Sequence, residues 1–197
     1  MSTQNNIRSR INGNQLIPVV TFQANDDPIE FMHYLIHNGI ECIEITLRTP
    51  EGIKAVELLK KKMDSKILVG AGTVTSFDQI NQLKNIGTDF IVSPGLTPKL
   101  QIFMEDSGIP YLPGVATPSE IILAKEMGLD TLKFFPANLF GGIAALKTYM
   151  NLFPEIRFCP TGGITKDTIS DFLSVKNVFA VGGSWLQSDF NKIKNNK

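Results

Sequence analysis

The segment Thr131-Leu132-Lys133-Phe134-Phe135-Pro136 has the pattern of a β-strand between two helical segments. Alternation at a period of two places Leu132 and Phe134 on one face of this strand and Lys133 on the other. Because a strand between two helices is covered on both faces, Lys133 is predicted to be buried. A buried ammonium group is costly, and desolvation favours the neutral amine, which is the form that attacks carbonyl carbons. The alternative is a lysine that extends to water at the strand end or pairs with an acid.

The same alternation of strand and helix continues in both directions along the chain. The predicted strands are Leu16–Val20, Gly39–Leu47, Lys66–Ala71, Asp89–Ser93, Pro110–Pro113, Thr131–Phe135, Arg157–Thr161 and Asn177–Val181. The helices predicted after them are Pro28–His37, Pro50–Met63, Phe77–Ile86, Pro98–Asp106, Pro118–Met127, Ile143–Leu152, Asp167–Leu173 and a short helix from Trp185. Eight such units predict an α/β fold, a (β/α)₈ TIM barrel that forms a single domain over residues 1–197. A doubly wound open sheet is the alternative fold.

Local signals at the helix starts support these boundaries. A short polar helix with Ile7 and Ile11 on one face is predicted before the first strand. Thr49-Pro50, Thr97-Pro98 and Thr117-Pro118 each place a capping hydroxyl before a proline at the first helical position. These caps define the strand-to-helix loops, from which the active sites of barrels are built.

Composition excludes several classes of function. The 197 residues include 19 basic and 19 acidic side chains, so the sequence predicts no nucleic-acid or polybasic membrane-binding surface. The longest apolar runs are of strand length, and the polar segment Ser2–Asn6 is unlike a signal peptide, so no membrane segment is expected. Two cysteines, Cys42 and Cys159, do not make a disulfide framework, and a cytoplasmic location is predicted.

Polar residues on the second predicted strand indicate a reactive interior. Alternation in Ile43–Arg48 turns Glu44, Thr46 and Arg48 to the interior and the three hydrophobic residues to the helices. An internal Glu44–Arg48 ion pair is the alternative to a functional role, although residues four apart on a strand are separated by roughly 13 Å. Even-numbered strands contribute to common interior layers, so Glu44 is expected near Lys133. An acid beside an amine nucleophile is suited to proton transfer in carbonyl chemistry.

Small residues lie at the ends of four of the predicted strands. Gly70-Ala71-Gly72-Thr73 permits either close approach of a ligand or tight packing, and Ser93-Pro94-Gly95 is typical of a turn. The seventh and eighth strands end in Thr161-Gly162-Gly163 and Gly182-Gly183-Ser184, at positions where phosphate sites recur in barrels. Two ordinary turns remain the alternative at these last positions.

The sequence predicts no metal site and no cofactor. His33 and His37 are four residues apart on a predicted helix, but no glutamate adjoins the first and no third ligand is evident. Cys42 and Cys159 are interpreted as packed thiols, because neither has a histidine beside it in sequence.

Seven segments, in their order along the chain, resemble the 2-keto-3-deoxy-6-phosphogluconate aldolase family, whose members also act as 4-hydroxy-2-oxoglutarate aldolases. The resemblance extends from about Ile17 to Trp185 and implies a homotrimeric (β/α)₈ barrel and a class I aldolase without metal. The matching segments are Glu44-Ile45-Thr46-Leu47-Arg48-Thr49, Gly70-Ala71-Gly72-Thr73-Val74, Ser93-Pro94-Gly95, Pro113-Gly114-Val115-Ala116-Thr117-Pro118, Lys133-Phe134-Phe135-Pro136-Ala137, Pro160-Thr161-Gly162-Gly163-Ile164 and Gly182-Gly183-Ser184-Trp185-Leu186.

The resemblance also implies the roles of individual residues. Lys133 forms a Schiff base with the keto carbon, and Glu44 is the acid/base. The implied substrate-binding residues are Arg48, Thr73, Pro94 and Phe135 around the pyruvate portion, Gly162, Gly163 and Ser184 at the phosphate, and the adjacent Thr161 and Gly183. Asn138-Leu139-Phe140 departs from the Glu-Ala-Ser of well-known members, which bears on substrate preference.

The implied reaction is cleavage of 2-dehydro-3-deoxy-6-phosphogluconate into pyruvate and glyceraldehyde 3-phosphate, and of 4-hydroxy-2-oxoglutarate into pyruvate and glyoxylate. One alternative is an aldolase of the same family for 2-dehydro-3-deoxy-6-phosphogalactonate. Others are a sugar-phosphate isomerase or epimerase that uses no covalent intermediate, which would have no need of Lys133, and a barrel that binds sugar phosphates without catalysis.

Overall fold

The computed structural model describes residues 5–11 and 13–195, in which helices alternate with parallel strands. The strands are β1 (Leu16–Val20), β2 (Cys42–Thr46), β3 (Leu68–Gly72), β4 (Phe90–Val92), β5 (Tyr111–Leu112), β6 (Gly114–Val115), β7 (Thr131–Phe134), β8 (Arg157–Pro160) and β9 (Val181–Gly183). The helices are α1 (Asn5–Ile11), α2 (Pro28–His37), α3 (Glu51–Lys62), α4 (Phe77–Ile86), α5 (Pro98–Ser107), α6 (Pro118–Glu126), α7 (Gly142–Leu152), α8 (Ile169–Leu173) and α9 (Trp185–Asn195). The polar segment 2–6, which the sequence predicts to be unlike a signal peptide, lies outside the described residues at positions 2–4.

The strands form two parallel sheets that adjoin at both ends. One has the order β5-β4-β3-β2-β1-β9 and the other the order β6-β7-β8. Pro113 separates β5 from β6, and its carbonyl accepts a hydrogen bond from the Lys133 N–H at 2.8 Å. At the other end, the bridge between Thr161 and Gly182 links the segment after β8 to β9. The prediction of a parallel α/β fold is confirmed, and the sheet is strongly curled.

Buried hydrophobic residues form two separate clusters, one on each side of the curled sheet. The larger cluster, here called the outer core, lies between the strands and the helices and includes Ile43, Ile45, Leu132 and Phe134. The inner core consists of Ile7, Ile11, Ile17, Cys42, Phe90, Val92, Leu112, Cys159 and Ala180. Since side chains alternate along a strand, Glu44 and Thr46 face the same side as Cys42. The predicted orientation of these two polar residues is therefore confirmed.

Helix α1 closes the amino end of the inner core. Its two isoleucines, Ile7 and Ile11, are fully buried there, which confirms the predicted apolar face. Arg8 pairs with Asp130 at 2.9 Å, and Arg10 pairs with Asp89 at 2.9 Å. These aspartates directly precede β7 and β4, so α1 is held at the amino ends of the strands. The carboxyl ends, where barrel enzymes place their active sites, lie on the opposite side.

One of the three predicted helix caps is wrong. The hydroxyls of Thr97 and Thr117 accept hydrogen bonds from the first turns of α5 and α6, as predicted. Thr49 instead donates its hydroxyl hydrogen to the carbonyl of Phe22 at 2.7 Å. Helix α3 then begins at Glu51, after Pro50. The Thr49 side chain thus joins the β2–α3 loop to the segment after β1.

The last strand lies later in the chain than the sequence predicts. The sequence favoured Asn177–Val181, whereas β9 comprises Val181–Gly183 and pairs with Leu16, Ile17 and Pro18 of β1. Glycine is depleted in strands, so the glycine pair weakened the strand signal where the ladder actually forms.

Candidate active site

Lys133 and Glu44 form a buried ion pair between two strands. Lys133 Nζ lies 3.0 Å from Glu44 Oε1, and their side chains are 6% and 4% exposed. Inward-facing positions on β7 and β2 bring them together, as the sequence predicts. Lys133 therefore does not extend to water, although it does pair with an acid. The carboxylate can accept a proton from the amine, and this transfer would leave a neutral nucleophile beside a neutral acid.

Gly72 determines where the Glu44 carboxyl group lies. A Cβ atom at Gly72 would be 2.8 Å from both Cδ and Cγ of Glu44. A Cβ atom at Gly70 would similarly overlap the ring of Phe90. Of the two interpretations left open for the small residues at the end of β3, the structure supports tight packing. In this case the packed group is the carboxylate of the ion pair.

Phe135 lies next to the amine. Lys133 Nζ is 5.2 Å from the centroid of the Phe135 ring, within the range of a cation–π interaction. Phe135 is half-buried and directly follows β7. The ring therefore covers one side of the amine at the carboxyl end of β7.

Cys159, opposite Lys133 on β8, and Cys42, two residues before Glu44 on β2, are thiols whose burial disfavours the reactive thiolate. Burial raises the pKa of Cys159 to about 12, although the nearby Lys133 cation acts in the opposite direction. Burial also raises the pKa of Cys42 well above its usual range, and the Glu44 carboxylate adds to this effect. Both cysteines are buried and free, as predicted.

Three residues assigned to the pyruvate portion lie beyond the ends of neighbouring strands. Arg48 is exposed in the turn after β2. Because β2 ends at Thr46, two residues before Arg48, the alternation that predicted an inward Arg48 does not extend to it. Thr73 follows β3 with a φ of 60°, a conformation that costs a β-branched residue about 1–3 kcal/mol. Pro94 is half-buried after β4, and a Cβ atom on Gly114 would collide with its carbonyl group. The strained Thr73 backbone is typical of a functional loop.

The two glycine pairs lie side by side, Gly162-Gly163 after β8 and Gly182-Gly183 within β9, although the sequence places the second pair after its last strand. The bridge between Thr161 and Gly182 brings the loops together. Gly162 and Gly163 have φ values of 99° and 73°, which residues other than glycine rarely adopt. Ser184 directly precedes α9 and is exposed. Glycine loops before a helix leave backbone N–H groups accessible to an anion.

A family model described as KDPG and KHG aldolase matches residues 7–197. The chain belongs to this aldolase family. It is 41% identical over 172 residues to 2-dehydro-3-deoxy-phosphogluconate aldolase of Pseudomonas aeruginosa, covering 87% of this chain and 78% of the relative. It is 37% identical to the KHG/KDPG aldolase of Escherichia coli K12, covering 87% of this chain and 80% of the relative.

A solved structure shows the same fold in a related aldolase. The crystal structure of KDPG aldolase from Legionella pneumophila superposes with a TM-score of 0.86 at 40% identity, covering 90% of this chain and 86% of that one. That structure contains pyruvate captured at low pH as a covalent carbinolamine intermediate.

Sequence reasoning missed two residues beside the site of this aldolase. Thr21 follows β1, and its hydroxyl lies 2.7 Å from the Thr46 hydroxyl. The Gln187 side chain from α9 binds the Thr21 backbone. The period-two pattern of β1, continued from Ile17, could have revealed Thr21. Gln187 carries no comparable signal, because its contact joins residues 166 positions apart.

The described part of this aldolase contains no group of three or more His, Cys, Asp or Glu residues placed to hold a metal ion. His33 and His37 are both exposed on α2. Among the described helices, none has the length and apolar character that crossing a membrane requires.

Proposed function

We propose that this protein is a class I aldolase that cleaves 2-dehydro-3-deoxy-6-phosphogluconate into pyruvate and glyceraldehyde 3-phosphate. It also cleaves 4-hydroxy-2-oxoglutarate into pyruvate and glyoxylate. The observation that carries this proposal is the buried contact of 3.0 Å between Lys133 and Glu44. The names of the relatives support both substrates, and the carbinolamine in the Legionella aldolase supports a covalent route.

The reaction begins at the amine of Lys133. Glu44 takes a proton from the ammonium group, and the neutral amine attacks the C2 carbonyl of the keto acid. Glu44 then returns its proton to the carbinolamine hydroxyl, which leaves as water and yields an iminium ion. The positively charged iminium accepts the electron pair of the C3–C4 bond as that bond breaks.

Glu44 also completes the cleavage. As C3–C4 breaks, the carboxylate takes the proton of the C4 hydroxyl, directly or through one water, and C4 becomes the aldehyde carbonyl. The remaining enamine receives this proton at C3, and hydrolysis of the resulting iminium releases pyruvate and regenerates Lys133. One carboxyl group thus takes up and gives back a proton twice in each catalytic cycle.

The remaining site residues hold the two ends of the substrate. Those around the pyruvate portion are Arg48, Thr73, Pro94 and Phe135, with the Arg48 guanidinium near the carboxylate. Those at the phosphate are Thr161, Gly162, Gly163, Gly183 and Ser184. Their positions at the carboxyl ends of the strands support these roles, since barrel enzymes bind substrates there. Phosphate contacts remote from the reacting bond supply binding energy for orientation.

The proposal extends to the architecture of the whole chain. The strands close into a (β/α)₈ barrel of one domain over residues 1–197, which the junctions at Pro113 and at Thr161–Gly182 support. The barrel assembles as a homotrimer in the cytoplasm, as the resemblance implies. The exposed side chains of Phe77, Ile102 and Ile122 offer apolar surface for contacts between subunits. Sedimentation velocity measures the oligomeric state. The products are those of the Entner–Doudoroff cleavage.

Borohydride reduction in the presence of pyruvate tests the covalent step. The intact chain should gain one reduced pyruvyl group, and peptide mapping should place it on Lys133. Lys133→Arg should show no adduct and little activity while remaining folded, whereas the control Lys147→Arg, at an exposed position of α7, should react like the wild type. Labelling at another lysine, or full activity of Lys133→Arg, would refute the proposed nucleophile.

The alternative activities differ in what they require. An isomerase without a covalent intermediate does not need an amine beside a carboxylate, so the buried ion pair favours the aldolase. A preference for the phosphogalactonate epimer is decided by steady-state cleavage rates on the two purified phosphorylated aldols.

A further inference from the structure

Thr21, Thr46 and Gln187 form a connected polar group at the carboxyl ends of β1 and β2. The hydroxyl oxygens of Thr21 and Thr46 are 2.7 Å apart, and we call these two residues the threonine pair. The Gln187 side chain holds the Thr21 backbone at two points. Its Oε1 accepts from the Thr21 N–H at 3.1 Å, and its Nε2 donates to the Thr21 carbonyl at 2.8 Å.

The threonine pair faces the interior beside the catalytic carboxylate. Val19 and Val20 pair with Glu44 and Ile45, and this register continues to place Thr21 opposite Thr46. Thr46 lies on the same face as Glu44, one inward-facing position nearer the carboxyl end. Thr46 is 1% exposed, whereas Thr21 is half-buried. The pair therefore lies nearer the carboxyl ends of the strands than Glu44 does.

The two hydroxyls of the threonine pair can form more hydrogen bonds than they make. Each hydroxyl can donate one hydrogen bond and accept two, and their mutual bond uses only one of the two hydrogens. Neither hydroxyl makes another hydrogen bond to the residues that the structure describes. A buried donor that lacks an acceptor is costly, so this position favours a polar ligand group. Because Gln187 fixes the Thr21 backbone, the pair is held in place before a ligand arrives.

We propose that the threonine pair binds the hydroxyl group on C5 of the phosphorylated aldol, an inference that rests on the proposed function. Glu44 acts on the C4 hydroxyl. Ser184, after β9, holds the phosphate on C6. In the sheet β1 lies between β2 and β9, so the pair lies between the groups that contact C4 and C6. A secondary alcohol both donates and accepts, which matches the unused capacity of the pair.

The reverse reaction, in which pyruvate condenses with an aldehyde, tests this contact separately from the others. Pyruvate is condensed with D-glyceraldehyde 3-phosphate or with 3-oxopropyl phosphate, which has the phosphate but lacks the hydroxyl that becomes the C5 hydroxyl. The readout is the ratio of kcat/KM for the two aldehydes. Thr21→Val, which keeps the side-chain shape but removes the hydroxyl, should lower this ratio about tenfold, the effect of one lost hydrogen bond. Thr21→Ser should restore most of it.

Matched variants complete the test. Gln187→Met keeps the side-chain length without the amide and should also lower the ratio, since Thr21 is then released. Thr148→Val, at an exposed position of α7, should leave the ratio unchanged. An unchanged ratio in Thr21→Val, including an equal loss with both aldehydes, would overturn the proposed contact. A wild-type protein that condenses neither aldehyde with pyruvate would instead overturn the proposed function, and this contact with it.

Discussion

Replacing Gly72 by alanine should disable catalysis by displacing the Glu44 carboxyl group. The new Cβ atom would lie 2.8 Å from Glu44 Cδ and Cγ. Carbon atoms in contact are about 3.5–4.0 Å apart, so the carboxyl group must retreat by about 1 Å. Lys133 Nζ now lies 3.0 Å from Glu44 Oε1, and a retreat of this size breaks that hydrogen bond. A misplacement of about 1 Å lowers kcat about 10²-fold, which corresponds to about 2.7 kcal/mol of transition-state stabilisation.

The assay measures cleavage of 2-dehydro-3-deoxy-6-phosphogluconate by coupling pyruvate formation to lactate dehydrogenase. Gly87→Ala is the matched control, because Gly87 ends α4 with a φ of 78° and a Cβ atom there would contact nothing within 4 Å. This control should lose about 1 kcal/mol of stability from the strained backbone while keeping its kcat. A folded Gly72→Ala variant with an unchanged kcat would refute the argument, since the exact carboxylate position would then be unimportant.

Three further predictions concern Glu44, the loop at Gly162, and the two buried thiols. Glu44→Gln should lower kcat by about 10²–10⁴ and form the pyruvate adduct more slowly; an unchanged kcat would contradict an acid/base role. Gly162→Leu should raise KM for the phosphorylated aldol far more than for 4-hydroxy-2-oxoglutarate, because Gly162 has a φ of 99° and a Cβ atom there would lie 3.2 Å from Pro136 Cα; equal losses on both substrates would indicate that the glycine only shapes the loop. For Cys42 and Cys159, burial raises both thiol pKa values in the folded state, while unfolded thiols ionise near pH 8.5, at about their ordinary value. Stability is therefore unaffected by these groups below that pH, and above it the free energy of unfolding should fall by about 1.4 kcal/mol per pH unit for each thiol. Urea unfolding between about pH 9 and 10 measures this slope, which the double variant C42A/C159A should reduce by about 2.7 kcal/mol per unit.

Much of the site was predictable because side-chain direction along a strand is a local property. The period of two assigns Lys133 and Glu44 to the inner face without any knowledge of their neighbours. The same rule failed at Arg48, where the strand had already ended, since alternation applies only while the backbone remains extended. It also failed at β9, where glycines weaken the local signal although the neighbouring strand supplies the pairing.

The sequence by itself determined the alternation of strands and helices, the inward direction of Lys133 and Glu44, and the glycine pair that follows β8. Each of these depends on residues a few positions apart, whose geometry the chain itself dictates. Only the tertiary structure decided which inward-facing groups meet. Glu44 and Lys133 are 89 residues apart, and Thr21 and Gln187 are 166 residues apart. It also directed the Thr49 hydroxyl to the Phe22 carbonyl and not to the helix that follows. Contacts of this kind depend on the register and curvature of the whole sheet, which no local pattern encodes.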